Sequence, residues 1–377
     1  MKLPFGHIRP AEWVCGGFLG LAGLRLGLSP YPLAWHSVQW NLFPKLDLFC
    51  IVVGVWILKF SRPHRGVAVG LLFLLVLCFY GFTESTHGEA LFPLQNLLGK
   101  SASGFLTFFE KVRFLSLGLI FIFIGQRSLQ YPRQLRVALA QARIIAPLFF
   151  IICFYPLAPL MIHAGGIPDC DERIAAVDQW LFLGRNPLIL LEQWISPWMS
   201  EWMAFTYSSF GLFFTILFAF LFLRKGSRPV AQLVLMSTLV FALGYLGYSW
   251  VPVKGPIFSQ KFTIPVELTY MKEIKEALGE RARIERDCFP SLHTAIMWIT
   301  LYGAWKFNRR LFWVFLPIAL SIPLACVYLR YHYVSDVLAG SLLALTAIGI
   351  TQKTLGSHRK VPKGPTLTHP PKKAVFS

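Results

Sequence analysis

Two short stretches of the sequence combine side chains that can make and break bonds to phosphorus. The first is Cys288-Phe289-Pro290-Ser291-Leu292-His293-Thr294-Ala295, at the start of an apolar run. Proline suits the first turn of a helix, and Ser291 with the free N–H groups of that turn creates a site for an anion, aided by the helix dipole. His293 follows one turn in, within reach of a proton on whatever the site holds. The second stretch is Arg330-Tyr331-His332-Tyr333-Val334-Ser335-Asp336, also opening an apolar run. His332 and Asp336 are four apart, so on a helix they share a face, and the carboxylate can fix the imidazole tautomer. That pairing turns a histidine into a nucleophile. In-line displacement at phosphorus needs a nucleophile on one side and an acid on the other. His332 is therefore the candidate nucleophile, Asp336 its orienting partner and His293 the candidate acid.

A lone histidine in a helix is more often structural than catalytic. Two histidines, an aspartate, a serine and an arginine brought to one face near hydrocarbon are costly to bury without a use, which reverses that expectation. The chain between the two stretches is long enough for one descending and one ascending helix, a hairpin that returns to the same face. No His-Glu-x-x-His, Cys-x-x-Cys or Asp-rich pattern occurs, and a covalent histidine route needs no cation. Neither a metal nor another cofactor is expected.

The elements that position these residues follow from composition. Of 377 residues, 55% are hydrophobic and 14% charged, far from the balance of a soluble domain. Apolar runs of about the length of a bilayer core recur along the chain. They predict an all-α polytopic membrane protein with about ten transmembrane helices, near 12–29, 45–60, 66–83, 112–126, 146–164, 203–223, 230–250, 290–305, 311–328 and 333–352. Arg25 interrupts the first run, and no cleavage site follows it, so it reads as a retained span rather than a signal. The expected organisation is N-terminal transmembrane helices of unknown role over 1–143, a six-helix catalytic core over 144–352, and a disordered basic cytoplasmic tail over 353–377. The tail is rich in Pro, Lys and Thr and has too few apolar residues to offset the entropy of ordering.

The formal net charge is +18. Its distribution argues against nucleic acid as a partner. Basic residues recur in short connections that lack Asp and Glu: Arg62 and Arg65; Arg127, Arg133, Arg136 and Arg143; Arg224, Lys225 and Arg228; Lys306, Arg309 and Arg310. That is the positive-inside pattern, and it sets both termini in the cytoplasm and the candidate site on the extracytoplasmic, periplasmic or lumenal, face. The bilayer, with its anionic lipids, is the implied partner. The long loops of the opposite face hold most of the acidic residues. In them, Pro265 to Gly279 reads as an amphipathic surface helix, and Trp180, Trp194, Trp198 and Trp202 read as an interfacial belt. Cys170 and Cys288 fall in these loops, where a disulfide is permitted, two thiols being the alternative.

Pro-Ser-x-His followed by His-x-x-x-Asp, each at a span terminus, resembles the type 2 phosphatidic acid phosphatase superfamily, over roughly residues 145 to 350. Within it the chain is similar to the inositol phosphorylceramide synthase branch, through Asp178 with Phe182, Gly184 and Pro187, through Tyr207-Ser208-Ser209, and through Pro252 with Gly255-Pro256. The resemblance implies that His332 attacks phosphorus, Asp336 orients it, His293 protonates the departing oxygen and Ser291 binds phosphate oxygens. Two departures stand out. The Lys-x6-Arg-Pro pattern of many lipid phosphatases is reduced to Lys254, and the arginine expected six residues before the nucleophile is Cys326. Lys254 and Arg330 are the candidates for clamping phosphate in their place, with Arg281, Arg283 and Arg286 behind them.

These departures point from simple monoester hydrolysis toward headgroup transfer. The expected function is a metal-independent membrane phosphotransferase using a phosphohistidine, passing a phospholipid headgroup, inositol phosphate-like, to a lipid alcohol. The alternatives are a lipid phosphate or diphosphate phosphatase using the same residues, with water as acceptor, and a transporter or scaffold with a vestigial site.

Overall fold

The computed structural model describes residues 9–27, 132–155, 158–272 and 286–356. Its longer helices are α1 (Pro10–Gly27), α2 (Pro132–Cys153), α3 (Ala158–His163), α4 (Asp171–Leu181), α5 (Pro197–Phe220), α6 (Ser227–Trp250), α7 (Leu292–Phe307), α8 (Arg309–Tyr328) and α9 (Val334–Thr351), with single helical turns at Pro187–Leu190, Leu191–Trp194 and Pro256–Ser259. Among the described residues there is no strand, only a parallel bridge between Val253 and Asp287. Four segments are long and apolar enough to cross a membrane: Pro197–Lys225, Ser227–Trp250, Arg309–Tyr328 and Val334–Leu355. α7 is 16 residues, so about 24 Å long at the helical rise, and mostly buried.

Helix α6 is the hub. It packs against α1, α2, α3, α7 and α9, and its polar side chains Ser237 and Thr238 turn back onto the carbonyls of Leu233 and Val234, one turn earlier. In an apolar setting this satisfies hydroxyls that would otherwise each cost free energy. α5, α7 and α8 form the other side of the bundle, joined by the edge-to-face pair of Phe213 and Phe315 at 5.0 Å.

Three expected spans, 45–60, 66–83 and 112–126, lie outside the described residues, as does the tail beyond 356. The charge that interrupts the first apolar run, Arg25, lies within a continuous helix. α1 continues to Gly27, and the guanidinium donates to the carbonyls of Met161 (3.1 Å) and Ser249 (2.7 Å), near the C-terminal ends of α3 and α6. Carbonyls there lack helical partners, so a cation reaching them is favourable.

The span expected at 146–164 is divided into α2 and α3, with Pro147 inside α2. α2 begins at Pro132, which puts Arg133, Arg136 and Arg143 on a helix rather than in a connection. Arg143 pairs with Glu12 of α1, its second nitrogen 2.8 Å from the carboxylate. The surface helix expected from Pro265 is also shorter at its start. Residues 265–268 are not helical; helix begins at 270, where Glu201 of α5 accepts the N–H groups of Thr269, Tyr270 (3.0 Å) and Met271 (2.8 Å), and 273–279 lies outside the described residues.

Candidate active site

Ser291 and His293 open α7, and His332 precedes α9 by two residues. Ser291 caps α7, accepting from the backbone N–H of Thr294 (3.5 Å) and from its hydroxyl (3.2 Å). A serine in extended conformation at this position is the usual way to satisfy a first-turn donor. The turn 289–292 is wedged between two helices that approach it through glycine. A Cβ on Gly340 of α9 would stand 2.3 Å from the Ser291 carbonyl, one on Gly247 of α6 would stand 2.4 Å from Pro290 Cδ, and one on Gly244 would meet Leu292. The Ser291 N–H also donates to the carbonyl of Asp336 at 3.0 Å. The His293 and His332 elements are thus docked through main chain.

The two imidazoles stand 5.8 Å apart between ring centroids, inclined at 61°. The two rings are near enough to act on one bound group, one as nucleophile and one as acid. Nδ1 of His332 lies 3.0 Å from the carbonyl of Cys288 and 3.5 Å from Asp336 Oδ2. A carbonyl only accepts, so Nδ1 carries the proton and the lone pair belongs to Nε2. The orientation expected from Asp336 alone is therefore shared, with the main-chain carbonyl as the closer partner. His332 is 2% exposed and Asp336 0%.

His293 lies in an aromatic slot of α5. Tyr207 stacks on it at 4.3 Å, with its hydroxyl 3.5 Å from Nδ1, and Phe210 meets it edge-on at 4.5 Å. Tyr207 also packs on Tyr331, beside His332.

The candidate phosphate contacts fall differently. Ser291 is fully buried, beside the sulfur of Cys326 at 3.8 Å. Lys254 forms an ion pair with Asp169 at 2.9 Å, and Arg286 holds the other oxygen of that carboxylate at 2.6 Å. Burial works against the charge on Asp169, but the hydrogen bonds and charges of Lys254 and Arg286 outweigh it and hold the carboxyl below its usual value. Arg330 is buried, engages Glu192 at 3.2 Å and the Ile264 carbonyl, and covers the ring of Phe262 at 3.9 Å. Its positive φ of 62° turns the chain there. Arg281 and Arg283 lie outside the described residues. Cys170 and Cys288 carry thiols, not a disulfide; Cys288 donates to the Tyr331 carbonyl at 3.3 Å.

The residues that sequence reasoning left without a role are the carboxylates of the loop before α5. Asp178 accepts the N–H groups of Val334 (2.7 Å) and Ser335 (2.8 Å), capping α9 from a distant helix, while Asp336 accepts that of Tyr333 at 2.9 Å. Three N–H groups at the start of α9 are thereby satisfied by two carboxylates that the helix dipole also favours. Asp171 receives the N–H groups of Lys254 (2.9 Å) and Gly255 (3.0 Å) and the Tyr333 hydroxyl (3.2 Å). Gly255 has φ of 98°, and a Cβ there would lie 2.7 Å from the Tyr331 carbonyl. Glu192 accepts from Thr263 at 2.8 Å as well as from Arg330. α4 buries two carboxylates: Asp171 and Asp178 face inward with Ile174, while Val177 and Trp180 are exposed, the latter by 77%. The signals in the sequence were the place of Asp178 in the resemblance and the spacing of Asp171 and Asp178, seven apart and so on one helical face.

A protein-family model described as the PAP2 superfamily matches residues 172–350. No curated protein and no solved structure matches the chain. The matched segment runs from α4 to α9 and includes Asp178, Lys254, Ser291, His293, Arg330, His332 and Asp336. With four apolar helices of spanning length, it supports an integral membrane protein with lipid phosphatase or phosphotransferase-type activity.

Proposed function

We propose that the chain is a lipid phosphotransferase acting through a phosphohistidine at His332. The observation that carries this reading is the single arrangement in which Nδ1 of His332 is fixed by Cys288 and Asp336, with His293 5.8 Å away. Nε2 of His332 attacks phosphorus of the donor lipid, and the bond to the leaving oxygen breaks. His293, as imidazolium, gives that oxygen its proton. The now neutral His293 removes the proton of an acceptor alcohol, whose oxygen attacks the phosphohistidine and restores His332. Lys254 would hold phosphate oxygens after exchanging Asp169 for them, together with the N–H groups of Leu292 and His293 that follow Ser291. Arg330 would join them only by leaving Glu192. No cofactor enters this scheme.

The donor we infer is a phospholipid with an inositol phosphate-like headgroup and the acceptor a lipid alcohol, as in the inositol phosphorylceramide synthase-like branch of the superfamily. Cys326 supports transfer over hydrolysis. It occupies the place of an expected arginine and packs its sulfur against Ser291 and Thr294, so that wall of the site is neutral. The site faces the extracytoplasmic side in this reading. Purified enzyme incubated with radiolabelled lipid phosphates and phosphodiesters, with and without lipid alcohols, tests the assignment. Label passing to the alcohol supports transfer; free phosphate released regardless of acceptor would make the enzyme a phosphatase.

A further inference from the structure

At the end of the bundle away from the histidines, α7, α8 and α9 leave a groove of about 450 Å³ between them, lined by Trp298, Tyr302, Trp305, Phe312, Leu345 and Ile348. That volume lies in the range of ligand pockets, roughly 300–1,000 Å³. The lining is mostly apolar, and its hydrogen bonds, from the Trp298 indole to Ser341 at 3.0 Å and from the Ser341 hydroxyl to the Val337 carbonyl at 2.9 Å, are internal. Hydrocarbon is the occupant such a wall accepts at least cost.

The rim has a different character. Lys306 stands at the mouth, its amine 2.7 Å from Gln352 and within 5.7 Å of the Tyr302 ring, and Arg309 covers Trp305 at 4.7 Å. The three connections that gather here, 221–228, 306–310 and 352–356, contain seven basic residues and no Asp or Glu. Arg228 and Gln232 tie α6 to this end by donating to the Leu355 carbonyl, at 3.1 and 3.0 Å. An ammonium with donors beyond the one given to Gln352, beside a guanidinium resting on an indole, is a receptor for a phosphate diester.

We propose that this groove binds an anionic phospholipid, one acyl chain between α7 and α9 and its phosphate at Lys306 and Arg309. The helices that form it carry His293 and Asp336 toward their other ends: its inner lining, Trp298 and Ser341, is about 7–8 Å from them along the helix axes, and its rim about 18–20 Å. Occupancy holds those two helices apart at a fixed spacing and so bears on the geometry of the histidine pair. The site stands on the groove and its rim, independently of the reaction proposed above.

The test is thermal melting of the full-length, lipid-stripped protein in detergent, with phosphatidylglycerol or phosphatidylcholine added, beside native mass spectrometry of retained lipid. Phosphatidylglycerol should raise the melting temperature more than phosphatidylcholine and be retained at one molecule per chain. The double variant Lys306→Gln, Arg309→Gln should lose the difference between the lipids and keep its melting temperature in phosphatidylcholine. Leu345→Trp, which fills the groove and leaves the rim intact, should abolish retention. Equal effects of the two lipids, no effect of either, or a difference that survives in the double variant would overturn the proposal. Should the double variant fail to fold, retention by Leu345→Trp decides alone, since an unfilled site is required for it.

Discussion

His332 is oriented chiefly by Cys288: the imidazole Nδ1 donates to that residue's main-chain carbonyl at 3.0 Å, closer than to the carboxylate of Asp336 at 3.5 Å. A carbonyl cannot be removed by changing a side chain, so the tautomer survives substitutions nearby. Its placement depends instead on the pairing of 253 with 287–288 and on the turn at Gly255.

The two histidines should separate by role. His332→Asn should abolish turnover and covalent phosphorylation together. His293→Asn should slow turnover by about 10² to 10⁴ fold, the usual worth of a positioned acid, and a donor with an acidic leaving group should rescue it. Acid-labile phosphate on His293, or equal rescue of both variants, would reverse the assignment. Asp336→Asn should be less severe than His332→Asn, because Cys288 still holds the tautomer; the two are compared by kcat.

Asp178→Ala should leave the N–H groups of Val334 and Ser335 without their carboxylate. Loss of a cap costs about 0.5–2 kcal/mol, and more where the groups stay dry. A lowered melting temperature with kcat falling in parallel is expected, with Asp178→Asn intermediate since its amide keeps one acceptor. Unchanged kcat in Asp178→Ala would separate α9 capping from the site.

Gly340→Ala places a methyl 2.3 Å from the Ser291 carbonyl. Overpacking of this kind costs about 1–3 kcal/mol, and here it pries α9 from the turn that carries Ser291 and His293. Gly349→Ala, with nothing within 4 Å, is the matched control. It should be neutral or stabilise by about 0.5–1 kcal/mol through helix propensity. The measurement is thermal melting of both, with activity; equal behaviour would refute the close approach.

The Asp169 carboxyl is held below its usual value of 3.8 by Lys254 and Arg286. A depressed folded-state pKa contributes stability that is present above the unfolded value and is lost as pH falls through the folded one. The contribution should therefore be complete above about pH 4 to 5 and disappear in stronger acid. Stability measured against pH should show this loss in the parent and lack it in Asp169→Asn; the same variant should bind phosphate analogues more tightly at neutral pH, as Lys254 no longer has a carboxylate to leave.

Sidedness is checked by cysteine labelling. A cysteine at exposed Ser259 should react with an impermeant reagent in intact cells, and one at Ser227, between Lys225 and Arg228, should not. The opposite pattern would invert the topology.

The helices that carry the site were legible in the sequence because apolar length is a local signal, although Pro290 precedes the Ser291 cap of α7 rather than standing in its first turn, and His332 precedes α9 rather than sharing a helix face with Asp336. α5, α6, α8 and α9 fall where apolar runs place them. What was not legible depends on partners distant in sequence. Arg330 and Lys254 read as cations near a phosphate site; their ion pairs with Glu192 and Asp169 join positions far apart, with no periodicity between them. Arg25 read as an interruption because hydropathy counts a charge and cannot see the two carbonyls that receive it. The division between α2 and α3 escaped for the converse reason: both are apolar, and composition alone does not mark a break.

Asp171, Asp178, Glu192 and Glu201 share one habit, in that each reaches for main-chain N–H groups of a distant segment. The recipients include Val334, Ser335, Gly255, Thr263 and Met271, whose side chains take no part in the bond. Almost any residue but proline could replace most of them and still donate. Over evolutionary drift these partners are free to change while the carboxylates stay, so correlated substitution between the two ends of each contact has no physical cause. Contact inference from paired sequence change would pass over the bonds that seat the start of α9, and only the acidic ends would bear a trace of them.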